Sequence, residues 1–362
     1  MVHIISLLKG RQLIGDKAFL EAYTRSGIGE VFWIITDKCN LKCVHCYRDA
    51  ASGRRCEVSM MDSFHIIDKI SRLGRPLIFI SGGEPFTIPY LTDVLRELKN
   101  RGFRVVLSSN GTLIDENAAE HILEIGVDYV ALPLYGGELF HDCFTGVKGS
   151  YSRVMDALRL LRDSDVNLAL KTVISRSTLP NINYILNEAL NNDVKILYLC
   201  DLLPLGRGTY LSGDVLAKDE WRQLLNKLVG EILDYGYDVE IDIGLHPSAA
   251  IYILRELGVN VLSTLSKAPS RLAPEGRGFI SIAPNGDVSI SHFLPHMKIG
   301  NVLENDLEQV VNHPLYKAVG DSNNLGGRCG GCEFKYVCGG SRVKAYVYKG
   351  NLLEEDPTCL ID

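Results

Sequence analysis

A chain of 362 residues is too long for a single small core and suggests about two domains. Its 38 basic and 44 acidic side chains give a net charge of −6, which argues against a nucleic-acid partner held by bulk positive field. No apolar run approaches the ~18 residues that span a bilayer. The segment His3–Leu8 is too short for a secretory signal and lacks a small-residue cleavage site. The expected location is therefore cytoplasmic, with no membrane partner.

In chain order, residues 1–27 read as an N-terminal extension. Six strands then alternate with helices. The predicted strands are Val31–Thr36, Leu77–Ile80, Arg104–Leu107, Tyr129–Leu134, Leu168–Ile174 and Val194–Leu199. The predicted helices are Ser59–Leu73, Ile88–Asn100, Asp115–Ile125, Ser150–Leu161 and Leu179–Leu190. Ser59 is the N-cap of the first, with Asp62 three residues on and Gly74 as its stop. Repeated strand–helix alternation with short turns predicts a parallel sheet. The expected fold class is α/β, a partial (β/α)6 barrel over 28–213; a doubly wound open sheet fits the same periodicity. Residues 214–275 read as a bridge of helix, short strand (Val239–Ile243) and helix. Residues 276–362 read as a small α+β domain. In it, Gly278–Ile282 and Val288–Ile290 form a hairpin around Asn285-Gly286, and a helix runs from Asp306 to Val319.

Ten cysteines are many for a reducing compartment, where clustered thiols are metal ligands or catalysts rather than disulfides. Cys39, Cys43 and Cys46 have C-x3-C-x2-C spacing on the loop after the first of these strands. Three thiolates can hold three irons of a [4Fe–4S] cube and leave the fourth open; a structural zinc completed by His45 or Cys56 is the alternative. Cys329, Cys332, Cys338 and Cys359 are spaced C-x2-C-x5-C-x20-C and can ligate a second cluster fully, with a structural zinc again the alternative. Cys56, Cys143 and Cys200 are scattered and read as buried free thiols.

Polar or glycine-rich loops follow four successive strands: the cysteine loop, Ser81–Pro85, Ser108–Gly111 and Tyr135–Gly137. Ligand sites of parallel barrels lie at such C-terminal strand ends. Gly82 and Gly83 permit close backbone approach, and Glu84 offers an acceptor for an amine. Lys171 is a charge inside an otherwise apolar strand, which suits an anionic group or a lysine that snorkels out at the strand end. Arg207 suits a substrate carboxylate, with capping of the following segment as the alternative. His292 and His296 flank Phe293-Leu294-Pro295, where either ligates an iron, gives a proton or sits on the surface.

On Cys39, Cys43, Cys46, the following Gly82-Gly83-Glu84-Pro85 and the later Ser109-Asn110-Gly111, the chain resembles radical S-adenosylmethionine (SAM) enzymes. The resemblance implies that SAM chelates the open iron and that Gly82, Gly83 and Glu84 hold its amino group. It offers Ser109, Asn110 and Lys171 for the ribose and carboxylate. It implies reductive cleavage of SAM to a 5′-deoxyadenosyl radical, with an electron donor such as ferredoxin or flavodoxin. The C-terminal cysteines are similar to those of SPASM/twitch extensions and imply one auxiliary [4Fe–4S] cluster. With Cys338–Arg342, Leu203–Gly208, His141-Asp142, Gly146 and Gly149, they resemble the haem and haem d1 biosynthesis members, which act on tetrapyrrole acetate and propionate side chains. Two departures stand out. Ser289–His292 carries no cysteine where many relatives have one, and Pro133 and Tyr135 replace a serine and an aspartate. The alternatives are a peptide maturase that forms a crosslink or oxidised side chain and, outside enzymes, a zinc-binding scaffold.

Overall fold

The computed structural model describes residues 2–9, 17–50, 57–162, 164, 166–266 and 272–361. Cys56 lies outside the described residues. A single sheet organises the chain. Its strands are β1 (Val2–His3), β2 (Ile28–Thr36), β3 (Leu77–Gly82), β4 (Val105–Ser108), β5 (Tyr129–Pro133), β6 (Asn167–Ile174), β7 (Ile196–Asp201), β8 (Glu240–Gly244), β9 (Gly278–Ile282), β10 (Asp287–Ser289) and β11 (Lys298–Asn301). The order is β1-β8-β7-β6-β5-β4-β3-β2-β9-β10-β11.

The six predicted strands are β2 to β7, all parallel in sequence order, as right-handed βαβ units require. The sheet reaches further than the periodicity suggests. The bridge strand β8 adds a seventh parallel strand beside β7, and β1 caps it antiparallel, Val2 facing Ile243. On the other side β9 pairs parallel with β2, Ile28 facing Gly278, before the antiparallel hairpin β9-β10-β11. Among the described residues no hydrogen bonds join the two edges β1 and β11.

Helices cover the outer face. Helix Met60–Arg72 begins at Ser59 with a reciprocal capping box to Asp62 and buries Ile66, Ile67 and Ile70. Asp115 caps Glu116–Ile125. The single helix expected over Asp306–Val319 is two, Leu307–Val311 and Pro314–Gly320, because Pro314 lacks the N–H that would continue the first. Helix Glu138–Thr145 has no counterpart in the expected elements.

Candidate active site

Alternate residues of β2 to β8 face one cavity of about 620 Å³, among them Phe32, Phe79, Val106, Ala131, Lys171 and Tyr198. Strands β1 and β9 contribute His3 and Phe279. Nine strands laid flat would be roughly 40 Å across at ~4.8 Å spacing. They can share a cavity of that size only if the sheet curls around it, as a partial barrel does. The volume is that of a small-molecule site.

The C-x3-C-x2-C loop leaves the C-terminal end of β2, and Cys39, Cys43 and Cys46 all line this cavity. The loop is held by backbone pairing. Gly83 N donates to Thr36 O at 2.7 Å and Glu84 N to Lys38 O at 2.7 Å. Lys42 N and Val44 N donate to Thr145 O and Phe144 O, at the end of the helix the sequence reading missed. A methyl group on Gly83 would lie 2.0 Å from Lys38 O, and one on Gly82 would lie 2.5 Å from Thr36 O. The two glycines therefore let the loop after β3 press against the cysteine loop, in addition to bordering the cavity. Burial pushes the Cys43 thiol up to about 12 and raises Cys39 as well. Neutral thiols suit an apolar wall; an iron bound there would reverse that balance and fix them as thiolates.

Glu84 is fully buried and does not border the cavity. It accepts from Ser109 Oγ at 2.8 Å, Asn110 N at 2.6 Å and Phe86 N at 3.1 Å. Three of its roughly four acceptor positions are thus filled by protein donors. Burial raises its carboxyl, and the hydrogen bonds lower it. Glu84 stands behind Ser109 and Asn110, which do line the cavity, and Pro85 starts the short turn Pro85–Thr87 beside it. Asn110 Nδ2 lies 3.9 Å from Cys39 Sγ and donates to Asn40 Oδ1 at 2.8 Å. Lys171 faces the cavity with Ser108 Oγ as its hydrogen-bond partner and no carboxylate in contact. Burial lowers its ammonium to about 8, against the pull of Glu84, Cys43 and Cys39.

Arg207 borders the cavity and also holds the cysteine loop. Its Nε donates to Cys43 O at 2.8 Å, its Nη1 reaches Ala50 O and Asp49 Oδ1 at 2.7 Å each, and its backbone N donates to Cys46 O at 2.9 Å. The guanidinium clamps the cysteine loop with three of its five donors. Gly206, next to it, has φ +54 and packs against Cys46 O and Tyr47 O.

His45 is not turned to a metal. Its Nε2 lies 3.2 Å from Tyr135 Oη, its ring stacks on Phe144, and burial holds its imidazole down to about 3. Tyr135, in place of an acidic residue, thus fills the space beside the cysteine loop. His292 lines the cavity, stacked on Phe32 with 4.0 Å between ring centroids and packed against Phe293. Its Nδ1 is buried without a partner, and burial lowers it to about 3, so the ring is neutral. His296 is instead on the surface, 3.1 Å from Tyr346 Oη.

The second cysteine group lies in the C-terminal segment, where amide hydrogens point at sulfur. Asp356 N donates to Cys329 Sγ, Phe334 N to Cys332 Sγ and Gly340 N to Cys338 Sγ, each at 3.4 Å, and Arg342 Nη2 lies 3.7 Å from Cys329 Sγ. Gly340, at φ +60, leaves room that a Cβ would take from Cys329 Sγ at 2.9 Å. Cys338 is buried and its thiol is raised mainly by that burial. N–H donors converging on sulfur are the environment that thiolates of a buried cluster need. Among the described residues no three His, Cys, Asp or Glu side chains gather around one point as a single ion requires. A cube, whose thiolates bind separate irons, does not demand that convergence.

Several residues of this region escaped the sequence reading. Cys200 lines the cavity near Tyr198, whereas Cys143 is exposed rather than buried. Asp201, His246 and Ser341 also reach the cavity wall. Asp201 ends β7, so the rule of C-terminal strand ends would have found it.

The sequence pattern of the Radical SAM superfamily matches residues 33–185, and that of an iron–sulfur cluster-binding domain, SPASM, matches residues 274–333. The chain is 29% identical to the AdoMet-dependent heme synthase of Methanosarcina barkeri, over 91% of this chain and 95% of that protein. It is 27% identical to the pre-heme d1 synthase of Dinoroseobacter shibae, over 91% of this chain and 86% of that one. In three dimensions it is similar to Streptococcus suis SuiB bound to its precursor peptide SuiA, with a TM-score of 0.76 at 16% identity over 99% of this chain and 79% of that one, a likeness of fold. The chain thus carries a Radical SAM domain followed by a SPASM iron–sulfur cluster-binding domain, and is an enzyme whose cofactors are SAM, a [4Fe–4S] cluster and an auxiliary cluster.

Proposed function

We propose that the enzyme modifies a tetrapyrrole acetate or propionate side chain in haem-type biosynthesis. The observation that carries this reading is the near full-length alignment with a heme synthase and a pre-heme d1 synthase. The cavity supports it. Its wall is largely apolar and aromatic, with Phe32, Phe79 and Phe279 on the side that carries His292. Such a surface takes a flat macrocycle, and the neutral His292 offers it an unpaired nitrogen.

In this reading Cys39, Cys43 and Cys46 hold the first cluster, and Cys329, Cys332, Cys338 and Cys359 hold the auxiliary one. When bound, the first cluster and SAM supply the 5′-deoxyadenosyl radical that takes a hydrogen atom from the substrate. The chain's own residues orient and exclude. Gly82 and Gly83 bring backbone to the amino group, with Glu84 behind them bracing Ser109 and Asn110 toward the ribose. Lys171 presents a cation to the SAM carboxylate. Arg207 keeps the cysteine loop in register. The curled sheet shields the reaction from water. The reductant is a ferredoxin or flavodoxin, and the working location is the cytoplasm. Among the described residues no helix is long and apolar enough to cross a membrane.

The test is anaerobic incubation of reconstituted protein with reductant, SAM and iron-containing porphyrins that carry acetate or propionate groups. The expected result is 5′-deoxyadenosine together with a porphyrin mass change at one or more side chains. Deoxyadenosine without any porphyrin change would overturn the substrate class and leave the radical chemistry standing.

A further inference from the structure

Asp201, at the end of β7, borders the cavity and is almost fully buried. Its Oδ1 accepts from Trp221 Nε1 at 3.2 Å. Its Oδ2 lies 2.8 Å from His246 Nε2 and 2.5 Å from Lys344 Nζ. Lys344 is completely buried in helix Arg342–Lys349, which begins three residues after Cys338-Gly339. An ammonium has three N–H donors, and here three polar atoms surround it. These are Asp201 Oδ2, His246 Nε2 at 2.7 Å and Thr358 Oγ1 at 3.1 Å. The three partners come from three separate segments: the end of β7, the loop after β8 and the C-terminal tail. His246 Nε2 lies against both Asp201 Oδ2 and Lys344 Nζ, and burial with the nearby ammonium lowers its imidazole, so the ring is neutral.

Thr358 continues the chain. Its Oγ1 and backbone N donate to Asp356 Oδ1 at 2.8 and 2.9 Å, and Ser341 N holds Asp356 Oδ2 at 2.8 Å. Asp356 N then donates to Cys329 Sγ at 3.4 Å. An unbroken run of hydrogen bonds thus leads from the cavity wall to a sulfur of the second cysteine group. A buried ion pair is no better for stability than apolar packing of equal volume, so its presence here calls for another use.

We infer that Asp201 and Lys344 form a positioning couple that sets the reduction potential of the auxiliary cluster from the wall of the substrate cavity. The inference rests on the reading that Cys329, Cys332, Cys338 and Cys359 hold that cluster. Potentials of iron–sulfur clusters follow local net charge and hydrogen bonds to sulfur. Lys344 adds positive charge on the cluster side, Asp201 balances it, and Thr358 with Asp356 passes the geometry to the Cys329 sulfur. Neither residue touches a thiol, so both act through others.

The experiment is an anaerobic redox titration of the full-length, reconstituted enzyme, followed by electron paramagnetic resonance so that the two clusters are read separately. Lys344→Met is expected to lower the potential of the auxiliary cluster and Asp201→Asn to raise it, with the first cluster unmoved in both. The double variant Asp201→Asn/Lys344→Met strands no charge, so it is the form to read if a single variant does not fold. It is expected to return close to the wild-type potential. Absence of any shift, or single variants that shift in the same direction, or a double variant as displaced as the singles, would overturn the inference. Wild-type protein with iron for one cluster only would instead overturn the assignment of the second cysteine group, independently of this couple.

Discussion

The two cysteine groups solve opposite problems. Cys39, Cys43 and Cys46 sit on a loop that opens on the cavity, where the Asn110 side-chain amide and the Leu41 backbone amide reach the Cys39 sulfur. Their loop is fixed from behind, by Arg207, by Gly83 against Lys38 and by the end of helix Glu138–Thr145. Cys329, Cys332 and Cys338 each receive a backbone N–H, and a buried arginine and aspartate brace the first of them. The first group keeps one side open to the cavity, whereas the second is wrapped in donors from its own segment. The contrast shows that cysteine count alone does not set the role of such a site; what surrounds the sulfur does.

Five substitutions or conditions break or sharpen that contrast, from the largest expected effect downward. Cys43→Ala should reduce 5′-deoxyadenosine formation to background while about half of the iron stays, by chromatography and iron analysis. Cys338→Ala should do the reverse: deoxyadenosine still forms, substrate product does not, and the auxiliary signal disappears from the resonance spectrum. Arg207→Ala frees the cysteine loop and should weaken retention of the first cluster by about 10- to 100-fold against a chelator, as loss of a supporting contact does. A changed KM for substrate with unchanged iron retention would return Arg207 to the role of carboxylate anchor.

The fourth concerns pH. The ammonium of Lys171 is lowered to about 8, below its ordinary 10.5, so it is charged below that value and neutral above it. SAM affinity, measured by equilibrium dialysis, should be flat below pH 8 and fall as pH rises through it, by at most about tenfold per unit for one proton. A Lys171→Met variant should bind weakly at both ends and show no such break. The smallest effect is Ser59→Ala, which removes the capping box of helix Met60–Arg72 and should cost about 1 kcal/mol in denaturant unfolding. It should leave both clusters untouched, and so serves as the control for general destabilisation.

Much of the barrel was legible because its strands, with one face in the core and the other lining a largely apolar cavity, read as apolar runs from Val31–Thr36 to Val194–Leu199. The cap at Ser59 announced its helix from local sequence alone. The partnership of β9 with β2 was not legible, since Gly278–Ile282 looks like half of a hairpin and nothing local says that its other edge is also paired. Glu84 and Arg207 were found as polar residues in the right loops, but hydrogen-bond partners are tertiary facts. Each proved to hold backbone or a neighbouring side chain. Lys344 was invisible because a lysine on a short helix reads as solvated; only the fold brings Asp201, His246 and Thr358 around it.

The pairing of β2 with β9 also bears on how the protein is made. The strand that launches the first cysteine loop finds its second neighbour only after most of the chain has been synthesised, and contacts so distant in sequence form late. Until then β2 is a bare sheet edge, the kind that recruits other chains. Removing residues 276–362 to isolate the barrel would make that transient edge permanent. Such a fragment should aggregate even with its three cysteines intact, seen as early elution in size-exclusion chromatography, because β9 covers that edge of β2.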